Sequence, residues 1–192
     1  METFDGAEAL FFEDWTALED WLSENHGLTA GVWLKLAKKS SGIASVNSEE
    51  VIDVALCYGW IDGQRRSFDE THYLQKITPR RPRSLWSQVN VRKVEALDAA
   101  GRMREPGRAE IARAKADGRW DAAYESQKTA TVPPDLEAAL EQNEPAARFF
   151  GQLNKTDRYA VILHLLTART PKTRAARLQS VIASLEAGQK PR

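Results

Sequence analysis

The sequence predicts an α+β fold: a small mixed sheet with helices in the N-terminal part, followed by an all-helical C-terminal part. Three observations carry the prediction. Runs of strand length that are apolar or alternating, Ala9–Phe12, Gly31–Lys39, Arg65–Phe68 and Tyr73–Thr78, occur only in the first part of the chain. From about Arg104 onward the apolar residues recur at helical spacing between Pro and Gly punctuation. Thr129–Pro133 reads as a linker, so an α+β domain is expected over residues 1–128 and a helical domain over 129–192. A chain of 192 residues can bury on the order of 70% of its unfolded surface, enough for a real core.

Ala9–Phe12 is the first strand. Asp14 caps the helix after it, which runs to about His26 with Trp15, Leu18, Trp21 and Leu22 on one stripe; Gly27 stops it. Gly31–Lys39 alternates Val32, Leu34 and Leu36 against Trp33, Lys35 and Ala37, the period of a strand. Asn47 and Glu50 form a capping box for a helix from Ser48 to about Tyr58. That helix is apolar almost all round, which makes it central, and Gly59 ends it.

Trp60-Ile61 leads into a hairpin, with Gly63 supplying a turn and Asp69-Glu70-Thr71 connecting the strands. Pro79 and Pro82 hold Pro79–Arg83 extended. Ser84 or Ser87 caps the next helix, whose Val89, Val91, Val94 and Leu97 face inward before Gly101. Helices are then predicted over Pro106–Ala116, Trp120–Glu125, Pro134–Gln142, Pro145–Leu153 and Thr156–Ala168. A last one starts at Pro171, capped by Thr170, and ends before Gly188.

Composition narrows the function classes. Hydrophobic content of 42% and charged content of 28% are those of an ordinary globular protein. No apolar run approaches the roughly 20 residues that cross a bilayer, so no membrane span is expected. The acidic start, METFDGAEAL, lacks the basic and apolar regions of a secretory signal. The single cysteine, Cys57, excludes an internal disulfide and reads as inert core. Together these features predict a cytoplasmic protein. His26, His72 and His164 are not at metal-ligand spacing, and no G-x-G-x-x-G, P-loop or G-x-S-x-G occurs, so neither a metal nor a cofactor is expected. The net charge of zero hides an asymmetry: residues 1–58 carry 11 acids against 3 bases, and residues 59–128 carry 15 bases against 10 acids. Either the two parts attract each other within one fold, or the basic part builds an anion site.

One stretch departs from core composition. Gly59–Ser87, GWIDGQRRSFDETHYLQKITPRRPRSLWS, holds two Trp, five Arg and one Lys at irregular spacing. Arginine presents a planar fork of donors to phosphate or carboxylate, and indoles stack on flat groups. Arg65, Arg66, Arg80, Arg81 and Arg83, with Trp60 and Trp86 as walls and Asp62 and Ser87 alongside, are therefore the candidate ligand site. In this reading Arg65 and the Pro79–Arg83 loop converge from the ends of adjacent strands. The same cations have an internal use, pairing with Asp62, Asp69, Glu70 and the acidic first third. Asp62 is either a desolvated acid or base or a turn residue before Gly63. Asp53, the one charge inside the apolar helix, calls for a partner such as Arg65 or Arg66. Arg174 and Arg177, with Arg169 and Lys172, form a cationic face on the last helix, either solvated or in contact with an anion.

The run Ala55-Leu56-Cys57-Tyr58-Gly59-Trp60-Ile61-Asp62-Gly63, then Arg65-Arg66, Asp69, Thr78–Ser84, Trp86-Ser87 and Asn90, resembles the YdeI/OmpD-associated family. So do Ala168, Thr170, Lys172, Thr173, Arg174, Arg177, Leu185 and Gly188 near the end, and the resemblance takes in nearly the whole chain. It implies a bacterial protein linked to bacteriocin protection or to an outer-membrane porin, and it brings no reaction or catalytic residues with it. The expectation is a cytoplasmic binding protein for an anionic small molecule or nucleic acid. The alternative, from another class, is an enzyme acting on a small anionic metabolite with Asp62 as acid or base.

Overall fold

The computed structural model describes residues 3–4, 7–127, 129–168 and 170–191, and the fold is α+β. The chain forms two compact units, one of residues up to 86 with 90–122, the other of 87–89 with 123–192.

The first unit holds β1 (Thr3–Phe4), β2 (Ala7–Phe11), α1 (Trp15–Asn25), β3 (Val32–Ala37), α2 (Ser48–Cys57), β4 (Trp60–Ser67), β5 (His72–Pro79), most of α3 (Gln88–Ala99) and α4 (Glu105–Ala116). Four strands make the sheet proper, in the order β2-β3-β5-β4, and the two-residue β1 extends it beyond β2. The sheet is mixed as expected: β2 and β3 run parallel, joined through α1, and the other pairs are antiparallel. The two helix starts are capped as the sequence indicates. Asp14 accepts from Ala17 N at 2.9 Å, and Asn47 and Glu50 make the reciprocal capping box.

The alternation in β3 is realised in the register. Val32, Leu34 and Leu36 lie opposite Ile77, Gln75 and Tyr73, while Trp33, Lys35 and Ala37 lie opposite Lys76, Leu74 and His72 on the other face. On that second face the ammonium of Lys76 sits 5.5 Å from the Trp33 ring centre and that of Lys35 sits 5.0 Å from Phe68. Trp33 is buried on that face, and a lysine placed over an aromatic ring in this way covers apolar surface with its stem.

α2 is the central helix, with Val51, Val54, Ala55, Leu56 and Cys57 all buried. Asp53 is bound by Lys93 at 2.7 Å, not by Arg65 or Arg66; α3 brings the lysine to it, a proximity no local pattern encodes. α4 docks its first turn on the end of α2, where Arg104 N donates to Cys57 O at 3.2 Å. Gly107 makes that approach possible, since a Cβ there would lie 2.3 Å from Cys57 O and 2.7 Å from Met103 Cε. Gly107→Ala is therefore expected to cost about 1–3 kcal/mol through overpacking. Urea unfolding measures it, and an unchanged midpoint would mean the two helices part without loss.

Two sequence expectations change here. Gly63 is not in a turn; it lies inside β4, at an irregularity described below. Trp120–Glu125 is not a helix. Gly118, at φ 76°, ends α4, Trp120 N folds back to Ala114 O at 3.0 Å, and the Trp120 ring packs on Trp86 with centres 5.0 Å apart. Packing of that indole outweighs a weak helical pattern.

The second unit contains α5 (Pro134–Glu141), α6 (Glu144–Gln152), α7 (Lys155–Leu166) and α8 (Pro171–Glu186). Its core includes Leu136, Phe150, Val161, Leu165, Val181 and Leu185. Asn143, Asn154 and Thr170 cap three of the helices, and Gly188 lies just past the end of the last. The cationic face of α8 is used internally. Arg174 grips Asp135 with two bonds of 2.6 and 2.8 Å and donates to Leu165 O, and Arg177 donates to His164 O at 2.6 Å. The last carbonyls of α7, which a helix leaves unpaired, thus receive guanidinium donors at the negative end of the helix dipole. The Arg174 pairing holds the Asp135 carboxyl below the usual carboxylate range. Arg169 of the predicted face lies outside the described residues.

Candidate functional site

Much of the Gly59–Ser87 stretch turns inward. Trp60 is 1% exposed, and its indole N–H donates to His26 O at 3.1 Å, tying β4 to the end of α1. Trp86 is 2% exposed, held between the Arg80 guanidinium, 3.6 Å from its ring centre, and the Trp120 ring. Neither indole is a wall of an open site; both are core. Arg80 is 7% exposed, and beyond its stack on Trp86 its Nη1 donates to Leu85 O and its backbone N–H to Gly59 O.

A buried ion pair completes this lock. Glu110, 1% exposed, accepts from Arg119 at 3.1 Å and from Arg113 at 2.7 Å, and Arg119 also donates to Ser84 O at 2.9 Å. Arg119 thereby fastens the 80–86 loop to α4, bridging Ser84 O and the Glu110 carboxylate, while Arg80 and Trp86 stack within the loop. Sequence reasoning passed over Arg119 and Glu110. Their only sequence trace is the i, i+3 spacing of Glu110 and Arg113 on a helix, which is common on solvated faces.

The hairpin register decides which cations meet. Trp60 lies opposite Pro79 and Ser67 opposite Tyr73, so the 80–83 loop leaves at the Trp60 end of β4. Arg65 stands five residues further along, about 15 Å at the rise of a strand. The two arginine groups do not converge. Arg81 and Arg83 are exposed at one end of the hairpin and Arg65 and Arg66 at the other. Ser87 forms an isolated bridge with Tyr124, within the second unit.

A bulge then sets the direction of each remaining arginine. Asp62 pairs with Ile77 and Arg65 with Gln75, so β4 takes three steps where β5 takes two. Each residue after the bulge is shifted by one and changes face. Arg65 consequently shares a face with Gln75 and Tyr73, with its Cζ 5.6 Å from the Tyr73 ring centre and an Nη2 bond to Ser48 Oγ. Arg66 lies opposite Leu74 on the other face.

Arg65 and Arg66 join Lys38, Ser67 and Tyr73 around an open depression of about 510 Å³. Lys38 arrives from the end of β3 and is fixed by donating to Asp69 O at 2.8 Å. Desolvation works to raise the Asp69 carboxyl, but donors from Thr71 and His72 outweigh it and bring the group down to about 2. Its charge is thus bound up in the hairpin turn. Among the described residues, no carboxylate forms an ion pair with Lys38, Arg65 or Arg66. Charge on an edge strand such as β4 also discourages edge-to-edge pairing. That role does not account for Lys38, which a different strand supplies to the same depression. Asp62 does not line it.

Cys57 is buried core as expected, and burial pushes its thiol up to about 11. Among the described residues, no group of three or more His, Cys, Asp or Glu is placed to hold a metal ion. Nor, among the described residues, is any helix long and apolar enough to cross a membrane.

The first unit is thus an α+β sheet-and-helix unit with an open depression lined by Lys38, Arg65 and Arg66, and the second is all-helical. The chain belongs to the family described as Domain of unknown function (DUF8412), whose model matches residues 10–110, just over half of the sequence. A second family, Bacteriocin-protection, YdeI or OmpD-Associated, matches residues 129–188. The resemblance to that second family is thus shown over the C-terminal part, while the GWIDG and PRRPRS runs fall in the region matched by the first. No curated protein and no solved structure matches the chain.

Proposed function

We propose that this protein is a cytoplasmic binding protein for a phosphate-bearing partner, nucleic acid or a phosphorylated metabolite, held by Lys38, Arg65 and Arg66 beside Tyr73. One observation carries the reading: three cations, two from β4 and one just past β3, share a depression, and among the described residues no carboxylate pairs with them. Guanidinium groups offer phosphate a paired set of donors, and Tyr73 supplies an aromatic face for a base. The openness of the depression favours an extended phosphate chain over a small metabolite, which is ordinarily enclosed on most sides. The cytoplasmic part of the proposal rests on the lone, buried thiol of Cys57, and cell fractionation tests it. The C-terminal match adds a relation to bacteriocin protection.

Fluorescence anisotropy with a short single-stranded RNA, and separately with inorganic triphosphate, is the direct test. Arg65→Ala combined with Arg66→Ala is expected to weaken binding about tenfold or more, with stability changed by less than about 1 kcal/mol. An RNA ligand would show affinity falling steeply with salt, and the double variant a shallower slope. Undiminished binding by the folded double variant would refute the site. If Asp62 were instead an acid or base, Asp62→Asn would abolish turnover while sparing RNA binding.

A further inference from the structure

We propose that the helical C-terminal unit carries a ligand site of its own, for a small organic anion bearing a phosphate or carboxylate on a planar apolar body. A cavity of about 460 Å³ lies wholly within that unit, lined by Gln127, Ala130, Lys155, Arg158, Tyr159 and Ile162. Its volume is that of a small-molecule site, for which roughly 300–1,000 Å³ is usual. It is separate from the depression on β4 and shares no residue with it.

The lining is built by helical geometry. Lys155, Arg158, Tyr159 and Ile162 are spaced i, i+3, i+4 and i+7, one face of α7. The segment before α5 supplies Gln127 and Ala130, and Tyr159 ties it to α7 by donating its hydroxyl to Glu125 O at 2.7 Å. Ile162 and Ala130 give an apolar floor, and the Tyr159 ring gives a flat one.

The cavity is lined by two cations that, among the described residues, form no ion pair. Arg158 lies against Phe150, its Cζ 5.4 Å from the ring centre, and its Nη2 donates to Gly151 O and Leu153 O at 3.0 and 3.4 Å. These partners orient the guanidinium without cancelling its charge, and its Nε is buried with no acceptor among the described residues. Among the described residues Lys155 has no carboxylate partner. Asp157, the one acid in this turn, is taken by Lys190 at 2.6 Å and by Asn154 at 2.8 Å. The positive end of the α7 dipole acts in the same direction. An oriented guanidinium and an exposed ammonium beside an aromatic ring and an apolar floor match a charged head on a flat body, which neither a bare ion nor a neutral aromatic would satisfy.

A nitrogen–proton NMR titration of the full chain with phenyl phosphate tests the assignment, with inorganic phosphate and benzyl alcohol as its two halves. Phenyl phosphate is expected to shift the amides of Gln127, Ala130 and Lys155 to Ile162 to saturation, about tenfold or more tighter than either half. Lys155→Glu, at an exposed position, should weaken that binding by a similar factor while the rest of the spectrum stays native. The Arg65→Ala, Arg66→Ala variant should bind phenyl phosphate unchanged, which separates this site from the one on β4. Shifts confined to Lys38 and β4 would overturn the proposal. So would the absence of saturation, equal binding of benzyl alcohol, or full affinity in Lys155→Glu.

Discussion

Trp60→Ala is expected to destabilise the protein by roughly 3–5 kcal/mol, the range for removing a fully buried large aromatic. The indole is 1% exposed and follows directly on Gly59, whose φ of 75° turns the chain out of α2 and into β4. Removing it empties the volume behind that turn and strands His26 O, which accepts the indole N–H. Trp60→Phe keeps an aromatic body and should cost less than Trp60→Ala. Urea unfolding followed by circular dichroism gives both values. The two variants, where folded, should bind RNA as the parent does. Lost binding at native stability would return this side chain to the ligand site.

Arg119→Met is the second large effect, expected at about 3 kcal/mol, because it leaves one oxygen of a buried carboxylate without its partner. Glu110 keeps Arg113 on Oε2, but Oε1 loses the guanidinium it has among the described residues, and Ser84 O loses a donor as well. Removing both charges, as in Glu110→Met with Arg119→Met, should recover a large part of that loss, since no buried ion is then stranded. A double-mutant cycle on unfolding free energies reads the coupling. Strictly additive losses would show that Arg119 acts through packing alone.

These two expectations recast the Gly59–Ser87 stretch. Trp60 ties β4 to the end of α1, Arg80 and Trp86 stack on each other next to Trp120, and Arg65 and Arg66, with Lys38, line the depression proposed above as the anion site. Arg174 and Arg177 follow the same logic in the helical unit: residues that carry the family resemblance serve the α7–α8 junction. An arginine run in sequence is thus divided by the fold into guanidinium groups that hold backbone and ring surfaces in place and guanidinium groups that face solvent.

Local chemistry was legible from residue order. Asp14, the Asn47–Glu50 pair and Thr170 begin helices where expected, and Gly59, Gly101 and Gly188 take the left-handed conformation past helix ends. The α+β class, the mixed sheet and the buried character of α2 follow from periodicity, because a 2-residue or 3.6-residue repeat needs only near neighbours to be read. The Asp69 turn was legible for the same reason.

What the tertiary structure alone decided is which side chains meet across many residues of chain. Asp53 found Lys93, Glu110 found Arg119, and Arg65 found Tyr73 and Ser48 rather than the PRRPRS loop. The bulge between Asp62 and Arg65 is the sharpest case. One extra residue in β4 reverses the face of every side chain after it, and no composition or spacing marks that step. Helix starts, turns and repeats are written in adjacent residues; the register of a strand and the partner of a buried charge are settled only when distant segments close on each other.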